Sequence, residues 1–405
     1  MGRVPDKATL PAVPAQRLRY DDPGMRRVRL GLFSAALATF ALLYTPQPLL
    51  PLLSADFRTG PAASSLVMSA GTGALAVAII GVSSLSEVFG RRRVMVVSAL
   101  AAALLGLAAP LSPSLGVLVA IRVAQGFALA GVPAVAMAYL AEEVEASSLG
   151  RAMGLYIAGN AIGGLSGRVI AGALAEDGGW RVAMAGVSGV GLACAVAFAV
   201  LLPRSSFFTP VPLLRARELL ASLRANLADT GLLRLYLIGF ALMGAFVTVF
   251  NYLTFRLSAA PFRLPTTVIG ALFVVYLAGT CSSAGAGRLA DRFGRFPVLW
   301  AAVLITAGGV LLTLPASLPV IGAGMIVMTA GFFAAHSVAS GWVGGRARVA
   351  PAQASALYLC LYYVGSSIAG SAGGVFYAQG GWPGTVIFVL TLLAVALASA
   401  LSLRR

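Results

Sequence analysis

The chain has 405 residues, of which 59% are hydrophobic and only 10% are charged. A water-soluble domain carries roughly 25% charged residues, so no single soluble core can absorb this much apolar sequence. The formal net charge of +16 comes mainly from 28 arginines and Lys7, but these cations lie in short gaps between apolar runs. That distribution excludes a folded basic nucleic-acid-binding domain and predicts a protein that crosses a lipid bilayer many times.

The N-terminal segment, residues 1–29, is polar and is followed directly by the apolar run 30–53. The apolar region of a secretory signal peptide has only about 7–15 residues, so this run is too long to be one. We therefore expect a cytoplasmic N-terminal tail followed by a first membrane span that is retained.

About 20 apolar residues are needed for a helix to cross the hydrocarbon, and this window predicts an all-α protein of twelve spans. The predicted spans are 30–53, 63–86, 94–112, 114–139, 152–175, 181–203, 231–256, 266–287, 298–315, 318–344, 352–377 and 383–402. Because the count is even, both termini lie on the same side of the membrane.

The cations between spans are distributed very unevenly. The two termini and the loops that share their side carry 23 Lys and Arg residues, whereas the opposite loops carry four, namely Arg58, Arg181, Arg256 and Arg263. By the positive-inside rule the arginine-rich side is cytoplasmic. The sequence thus predicts a multi-pass protein of the bacterial inner membrane with both termini in the cytoplasm.

Three short motifs occur twice, at intervals of 202 to 206 residues and between equivalent spans. They are Ser83–Arg91 with Gly287–Arg295, Leu155-Tyr156-x-x-Gly159 with Leu361-Tyr362-x-x-Gly365, and Gly179-Trp180 with Gly381-Trp382. Three matches in one register predict two related halves. We expect a tail (1–29), an N-terminal six-helix bundle (30–203), a cytoplasmic linker (204–230) and a C-terminal six-helix bundle (231–405).

The linker combines leucines with arginines. Leu213, Leu214, Leu219, Leu220 and Leu223 alternate with Arg215, Arg217 and Arg224. This pattern favours a short amphipathic helix on the membrane surface, and an irregular linker is an equally acceptable reading.

Several of these motifs resemble the major facilitator superfamily. The loop signature after the second span is strongest in its second copy, at Gly287, Leu289, Asp291, Arg292, Gly294 and Arg295. A fourth-span signature is found at Arg122, Gln125 and Gly126, and the first span, Tyr44–Pro51, and the run Ser166–Arg168 look like the YnfM-like branch of efflux-type permeases. The resemblance implies two pseudo-symmetric six-helix bundles, transport by alternating access, and no enzymatic activity.

The two signature loops are candidates for a cytoplasmic gate. The first copy contributes Glu87, Gly90, Arg91 and Arg92, and the second contributes Gly287, Asp291, Arg292, Gly294 and Arg295. A carboxylate there can pair with arginine in a geometrically selective way, and opening that side would break the pair. Simple anchoring by positive charge is the alternative. Because Glu87 and Val88 replace the usual Asp and Arg, we expect the two copies to pair differently.

Two arginines, Arg122 and Arg168, lie inside predicted spans, where a charge costs roughly 2.5–3.5 kcal/mol. The acids nearest to their level are Asp56, Glu176 and Asp177, all just beyond span ends. Either Arg168 reaches one of these acids, or both arginines face a cavity and an anionic solute. For Arg122, the family resemblance implies a cavity or coupling role together with Gln125.

The fifth span carries glycines at every fourth position, which allows close helix packing. Gly159, Gly163 and Gly167 form this row and Gly164 lies beside it. The row resembles the antiporter signature of the superfamily, but Gly164 replaces its proline and Arg168 its final glycine, which weakens a claim of antiport from this motif.

Polar side chains within spans tend to face the interior or a water-filled path. The candidates for a substrate cavity, besides the two arginines and Gln125, are Tyr44, Gln47, Tyr156, Asn160, Asn251, Tyr252, Tyr276, His336, Tyr358 and Tyr362. His336 is the only histidine and could carry a proton near neutral pH, or it could be a packed hydrogen-bonding residue.

These observations predict export of a small organic solute, driven by proton antiport. Alternatives are an organic-anion carrier in which Arg122 and Arg168 bind the substrate, and a transporter-like receptor that moves no solute. We expect no cofactor, no metal site and no nucleic-acid partner; membrane lipid surrounds the chain, and a monomer suffices for this architecture.

Overall fold

The computed structural model describes residues 17–210, 216–348 and 350–404. In this part of the chain the regular structure is helical, apart from one isolated bridge between Leu18 and Val144. Ten of its helices are long and apolar enough to cross a membrane. Two of these, Ala146–Leu201 and Pro351–Ser402, are each interrupted by one non-helical glycine. Dividing them there gives twelve spans, which confirms the predicted fold class.

We number the spans S1 to S12. They are S1 (Pro23–Asp56), S2 (Pro61–Phe89), S3 (Arg91–Leu111), S4 (Leu115–Glu143), S5 (146–178), S6 (180–201), S7 (Thr230–Ser258), S8 (Thr266–Phe293), S9 (Arg295–Leu312), S10 (Leu318–Arg346), S11 (351–380) and S12 (382–402). Many extend several residues beyond the predicted limits, because hydropathy detects only the segment inside the hydrocarbon. We call the end with the termini and the S2–S3, S4–S5, S6–S7, S8–S9 and S10–S11 loops the arginine-rich end, and the other the arginine-poor end.

The predicted repeat is visible in the backbone. Gly90 and Gly294 end S2 and S8 with φ of 93° and 92°, a conformation that residues other than glycine rarely adopt. Gly179 and Gly381, with φ of 68° and 58°, make the turns that separate S5 from S6 and S11 from S12. Each pair lies in the register of the sequence repeat, so the two halves turn in the same way at equivalent places.

Glycines on S5 and S11 let these helices pack directly against the backbones of S1 and S7, respectively. A Cβ on Gly163 would lie 2.5 Å from the Leu37 carbonyl oxygen, and one on Gly167 would lie 2.6 Å from the Ala41 Cα. S5 therefore packs directly on S1 through the predicted glycine row. In the second half, Gly365 meets the Phe240 carbonyl in the same way, so S11 packs on S7.

The two halves meet near the arginine-poor end. S2 contacts S11 where Ser367 donates to the Ser69 carbonyl at 2.7 Å. S5 contacts S8 where the Thr267 N–H donates to Glu176 at 3.1 Å. Among the described residues, no hydrogen bond or ion pair joins the halves at the arginine-rich end. The polar contacts between the halves therefore lie toward the arginine-poor end.

The connection between the halves contains a helix, Ala216–Ala228. Before it, the carboxylate of Glu143 accepts hydrogen bonds from the backbone N–H groups of Ser206 and Phe207 at 2.7 and 3.0 Å. The linker therefore contains a helix, which is one of the two alternatives that the leucine pattern left open. The N-terminal residues 1–16, Leu213 and Leu214 lie outside the described residues.

Candidate translocation site

Two spans change their helical geometry near the boundary between the halves. In S1, Pro46 and Pro48 lack the N–H groups that a continuous α-helix needs, and the chain forms a 3₁₀ turn over Gln47–Leu49. In S8, a 3₁₀ segment over Leu272–Val275 separates two α-helical parts. These irregular turns place Tyr44, Gln47, Phe273 and Tyr276 around one side chain of S5.

That side chain is Arg168, which is 1% exposed. Its Nε donates to Gln47 Oε1 at 2.7 Å and its Nη1 donates to the Gly164 carbonyl at 2.6 Å. The guanidinium carbon lies 4.0 Å from the ring centre of Tyr44 and 4.8 Å from those of Phe273 and Tyr276. Arg168, from the first half, is thus enclosed partly by the second, and aromatic faces stabilise its charge.

None of the three acids considered as partners for Arg168, namely Asp56, Glu176 and Asp177, contacts it. Asp56 instead accepts hydrogen bonds from Trp180 and Arg181, both at 2.8 Å, and Glu176 accepts from Thr267. The expectation of an acid partner for Arg168 is therefore not met among the described residues. For Asp56 and Glu176 the reason is geometric, since both carboxylates already accept hydrogen bonds at the arginine-poor surface.

Gln47 extends the contact of Arg168 into the second half. Its Nε2 donates to Asn251 Oδ1 at 2.8 Å, and both side chains are fully buried. Arg168, Gln47 and Asn251 thus form a chain of hydrogen bonds from S5 through S1 to S7. The Asn251 Nδ2 group is buried without a hydrogen-bond partner among the described residues.

An aromatic wall extends from Tyr276 through the centre of the second half. Its further members are Phe246 and Phe250 of S7, Phe332, Phe333 and His336 of S10, and Tyr358 and Tyr362 of S11. The rings of Phe246 and Phe332 stack at 3.9 Å. The Nδ1 of His336 lies 3.0 Å from the Tyr358 hydroxyl, and its ring centre lies 4.6 Å from that of Tyr362. Most of these rings could not be selected from the sequence, because phenylalanines in apolar spans carry no distinguishing signal.

Arg122 occupies a different place from Arg168, inside the first half. It donates to the carbonyls of Val67 at 3.1 Å, Leu42 at 3.1 Å and Leu43 at 2.7 Å, and also to the Gln125 side chain. A Cβ on Gly71 would lie 2.8 Å from its Nη2. Arg122 therefore ties S4 to S1 and S2, while its cavity or coupling role stays a prediction.

The remaining cavity candidates fall into two groups. Tyr252 donates to the Gly370 carbonyl at 2.6 Å and so joins S7 to S11 within the second half. Tyr156 and Asn160, by contrast, each have a buried oxygen without a hydrogen-bond partner among the described residues. These two S5 side chains lie on the arginine-rich side of Arg168 and could receive a polar solute.

The first signature loop pairs extensively, but only within its own half. Arg91 donates from Nε and Nη2 to Glu142 at 3.0 and 2.9 Å, and its Nη2 lies 3.9 Å from Glu87. Arg92 donates to the carbonyls of Leu202 and Ala199, both at 2.7 Å. These contacts hold S2, S3, S4 and S6 together.

The second signature loop is arranged differently. Asp291, Arg292 and Arg295 are exposed and make no ion pair with any described side chain. Arg346 of S10 pairs instead with Asp229, which caps the N-terminus of S7, at 2.9 Å. Burial raises the pKa of the Asp229 carboxyl, but hydrogen bonds from Arg346, Leu232 and Gly231 outweigh it, so the pKa lies below 3.8.

The described part of the chain contains no group of three His, Cys, Asp or Glu residues that could hold a metal ion. It contains two six-helix halves that are hydrogen-bonded to each other toward the arginine-poor end, with aromatic and polar side chains at the centre.

The family model of the Major Facilitator Superfamily matches residues 32–369. The chain belongs to the major facilitator superfamily. It is therefore a multi-pass membrane protein of a transporter family, and not an enzyme.

Relatives and solved structures agree with this membership. The chain is 45% identical to the inner membrane transport protein YnfM of Escherichia coli (strain K12) over 97% of its length and 94% of that protein. It is 43% identical to the uncharacterized MFS-type transporter YybF of Bacillus subtilis (strain 168), over 94% of each chain. Together these confirm the resemblance to the YnfM-like branch.

Among solved structures, a bacterial homolog of the human lysosomal transporter Spinster, described as inward-facing and occupied, superposes with a TM-score of 0.81. It is 15% identical, over 95% of this chain and 98% of that one. The human organic anion transporter MFSD10 has a TM-score of 0.70 and 19% identity, over 95% and 100%. At these identities the similarity concerns the fold alone.

Proposed function

We propose that the chain exports a small organic solute across the bacterial inner membrane by alternating access. The single observation that carries the proposal is that, among the described residues, the hydrogen bonds between the halves all lie toward the arginine-poor end, at Gln47–Asn251, Ser69–Ser367 and Glu176–Thr267. Two rigid halves with one closed and one open end can exchange these ends by rocking.

The side of each end follows from charge. The positive-inside rule makes the arginine-rich end, and with it both termini, cytoplasmic. We therefore infer that the hydrogen-bonded end is external and that this conformation is inward-facing, so that a solute reaches the aromatic wall from the cytoplasm. A single copy of the chain contains both halves, so a monomer is sufficient.

Proton antiport is the coupling we propose for export. In the described spans no carboxylate lies near the centre, so we assign the proton-carrying role to His336, the single histidine of the chain. It is half-buried against Tyr358 and Tyr362, where a change in its charge would alter the wall that a solute contacts. Arg122 and Gln125 would act on this coupling from inside the first half.

The test is flux in proteoliposomes with and without an imposed pH gradient, using solutes selected by a thermal-shift screen of metabolites and drugs. We expect accumulation to follow the gradient and to lose this dependence in His336→Gln, while Cys360→Ser, a partly buried control on S11, retains it. Equal flux with and without the gradient would rule out proton coupling. Binding without flux of any solute would rule out transport itself.

One observation favours a second candidate, an organic-anion carrier. The Arg168 guanidinium is buried without a carboxylate contact among the described residues, and part of its charge faces only aromatic rings. When the external end opens, these rings separate and an anion could take their place. Anion counterflow that is lost in Arg168→Ala and partly kept in Arg168→Lys, with both proteins folded, would support this candidate; counterflow that persists in Arg168→Ala would exclude it.

A further inference from the structure

An apolar groove runs along the outside of the second half, between S8 and S9, with S10 as its floor. Its volume is about 470 Å³, and it is lined by Ser282, Gly285, Ala286, Leu289, Phe293, Pro297, Val298, Ala301, Ala302, Ile305, Ala330, Gly331 and Ala334. The one hydroxyl among them, that of Ser282, already donates to the carbonyls of Gly279 and Ala330 at 2.9 and 2.8 Å. The groove therefore offers no polar partner to an occupant.

The length of the groove matches one leaflet of a bilayer. On S8 it extends from Ser282 to Phe293, which is about 16 Å at 1.5 Å per residue. Half of the hydrocarbon thickness is about 15 Å. The groove begins at the S8–S9 loop and ends near the middle of the membrane, as a single acyl chain does.

The mouth of the groove is cationic. Arg288 and Arg292 follow the lining residues Gly285 and Leu289 by three positions, so they lie along the edge of the same helix face. The guanidinium of Arg292 lies 5.1 Å from the ring centre of Phe293, at the end of the groove. Arg295 begins S9 two residues before Pro297, and Asp291 is the one acid in this loop.

Within the described residues, the arginines beside the groove lack the hydrogen-bond partners that Arg91 and Arg92 of the first signature loop have. Arg91 and Arg92 bind Glu142 and two carbonyls at the end of S6, whereas the side chains of Arg288, Arg292 and Arg295 make no hydrogen bond or ion pair with the described residues. Guanidinium groups bind phosphate through paired N–H donors. The second loop therefore presents phosphate-binding groups beside a slot for an acyl chain.

We propose that this groove is a binding site for an anionic phospholipid, with one acyl chain between S8 and S9 and the phosphate at Arg288 and Arg292. Each arginine near an anionic headgroup contributes about five-fold in affinity. The site is independent of the substrate and of the direction of transport. The site lies on the outer side of S8. The same span carries Phe273 and Tyr276, so the lipid would bind a helix that also contacts Arg168 of the first half.

The experiment is native mass spectrometry of the full chain released from nanodiscs that contain equal amounts of phosphatidylglycerol and phosphatidylcholine. A Cβ on Gly285 meets nothing within 4 Å, so Gly285→Leu starts from open space and places its side chain in the groove. Gly308 of S9 is equally open and does not line the groove, so Gly308→Leu is the matched control. Arg288→Gln with Arg292→Gln removes the cations and keeps the groove.

We expect the wild type and Gly308→Leu to retain phosphatidylglycerol preferentially. Gly285→Leu should lose most of the bound lipid of either kind, and the double glutamine variant should lose the preference by about 25-fold, five-fold for each arginine. Equal retention of both lipids by the wild type would overturn the proposal. So would retention by Gly285→Leu at the level of Gly308→Leu, or a dimer of the chain that Gly285→Leu dissociates.

Discussion

The side-chain amides of Gln47 and Asn251 hydrogen bond at 2.8 Å, and the two residues are 204 positions apart. The same interval separates Gly90 from Gly294, which end equivalent helices with nearly equal φ angles. Gln47 and Asn251 therefore lie at or next to equivalent positions of S1 and S7, the first spans of the two halves. A residue can touch its own equivalent only beside the axis that relates the halves, so this bond marks the point about which the halves would rock.

Converting Gln47 to Glu should strengthen this contact. The new carboxylate would pair with Arg168, and Asn251 could turn its unpartnered Nδ2 toward it. Hydrogen bonds to charged groups contribute roughly 1.5–3 kcal/mol. We expect a higher unfolding temperature in detergent and transport at least about ten-fold slower, because opening must break the stronger contact.

Gln47→Leu is the matched control, since it keeps the volume and removes both bonds. It should unfold at a lower temperature, because the Asn251 amide is left buried and unpaired. Thermal unfolding curves measure the stability of the wild type, Gln47→Glu and Gln47→Leu, and initial rates of flux measure their transport. Lower stability of Gln47→Glu than of Gln47→Leu would contradict the proposed ion pair.

The glycine row of S5 should tolerate no added methyl group. In Gly163→Ala, the new Cβ would lie 2.5 Å from the Leu37 carbonyl oxygen, so S5 must move away from S1. Overpacking of this kind costs about 1–3 kcal/mol. Gly154→Ala, on the same span but with no atom within 4 Å of its Cβ, should be neutral or slightly stabilising. Equal unfolding temperatures of the two variants would show that the row is not a packing surface.

Arg122 should contribute to stability whether or not a solute is present. In Arg122→Met, the carbonyls of Leu42 and Leu43, at the end of the first helical segment of S1, lose their donors, and each unsatisfied buried group costs about 1–3 kcal/mol. Arg168→Met, which loses fewer hydrogen bonds to carbonyls, should be destabilised less. Unfolding temperatures without solute compare them; a stable Arg122→Met protein that fails only in pH-driven flux would point to a coupling role instead.

The pair Asp229–Arg346 should make stability depend on acidity. The pKa of Asp229 is lowered in the folded protein, so its ionised form contributes stability that is fully present above its unfolded value of about 4 and lost as the pH falls below that value. Asn can still cap S7, so Asp229→Asn removes the charge alone. We expect the unfolding temperature of the wild type to fall more between pH 6 and pH 3 than that of Asp229→Asn. Parallel falls would show that the pair contributes nothing.

The spans and the repeat could be predicted from the sequence because both are one-dimensional signals. A run of twenty apolar residues can be recognised without knowing which helices are neighbours. The same is true of a glycine that recurs at a fixed interval, such as Gly179 and Gly381. The exact ends could not be predicted, since helices such as Arg91–Leu111 continue past the hydrocarbon, where composition no longer differs from that of a loop.

The surroundings of Arg168 could not be predicted for the opposite reason. Its partners are Gln47, an aromatic ring of S1 and two rings of S8, which come together only when two irregular turns face each other. Charge alone offered a carboxylate such as Asp56 or an anionic solute as the partner, because negative charge is what the sequence makes visible. Aromatic faces and amide oxygens also stabilise the buried guanidinium, but they form no pattern that can be recognised in the sequence.

The most direct test of alternating access is a pair of distances measured by spin labels in one protein at a time, in lipid nanodiscs. Gly60 and Gly380 lie at the arginine-poor ends of S2 and S11, and Gly150 and Gly344 lie at the arginine-rich ends of S5 and S10; all four have room for a Cβ. In the wild type we expect a short, narrow distribution for the first pair and a long one for the second. In Gln47→Leu, the first distance should lengthen while the second shortens. An increase of the first distance with no decrease of the second would contradict alternating access.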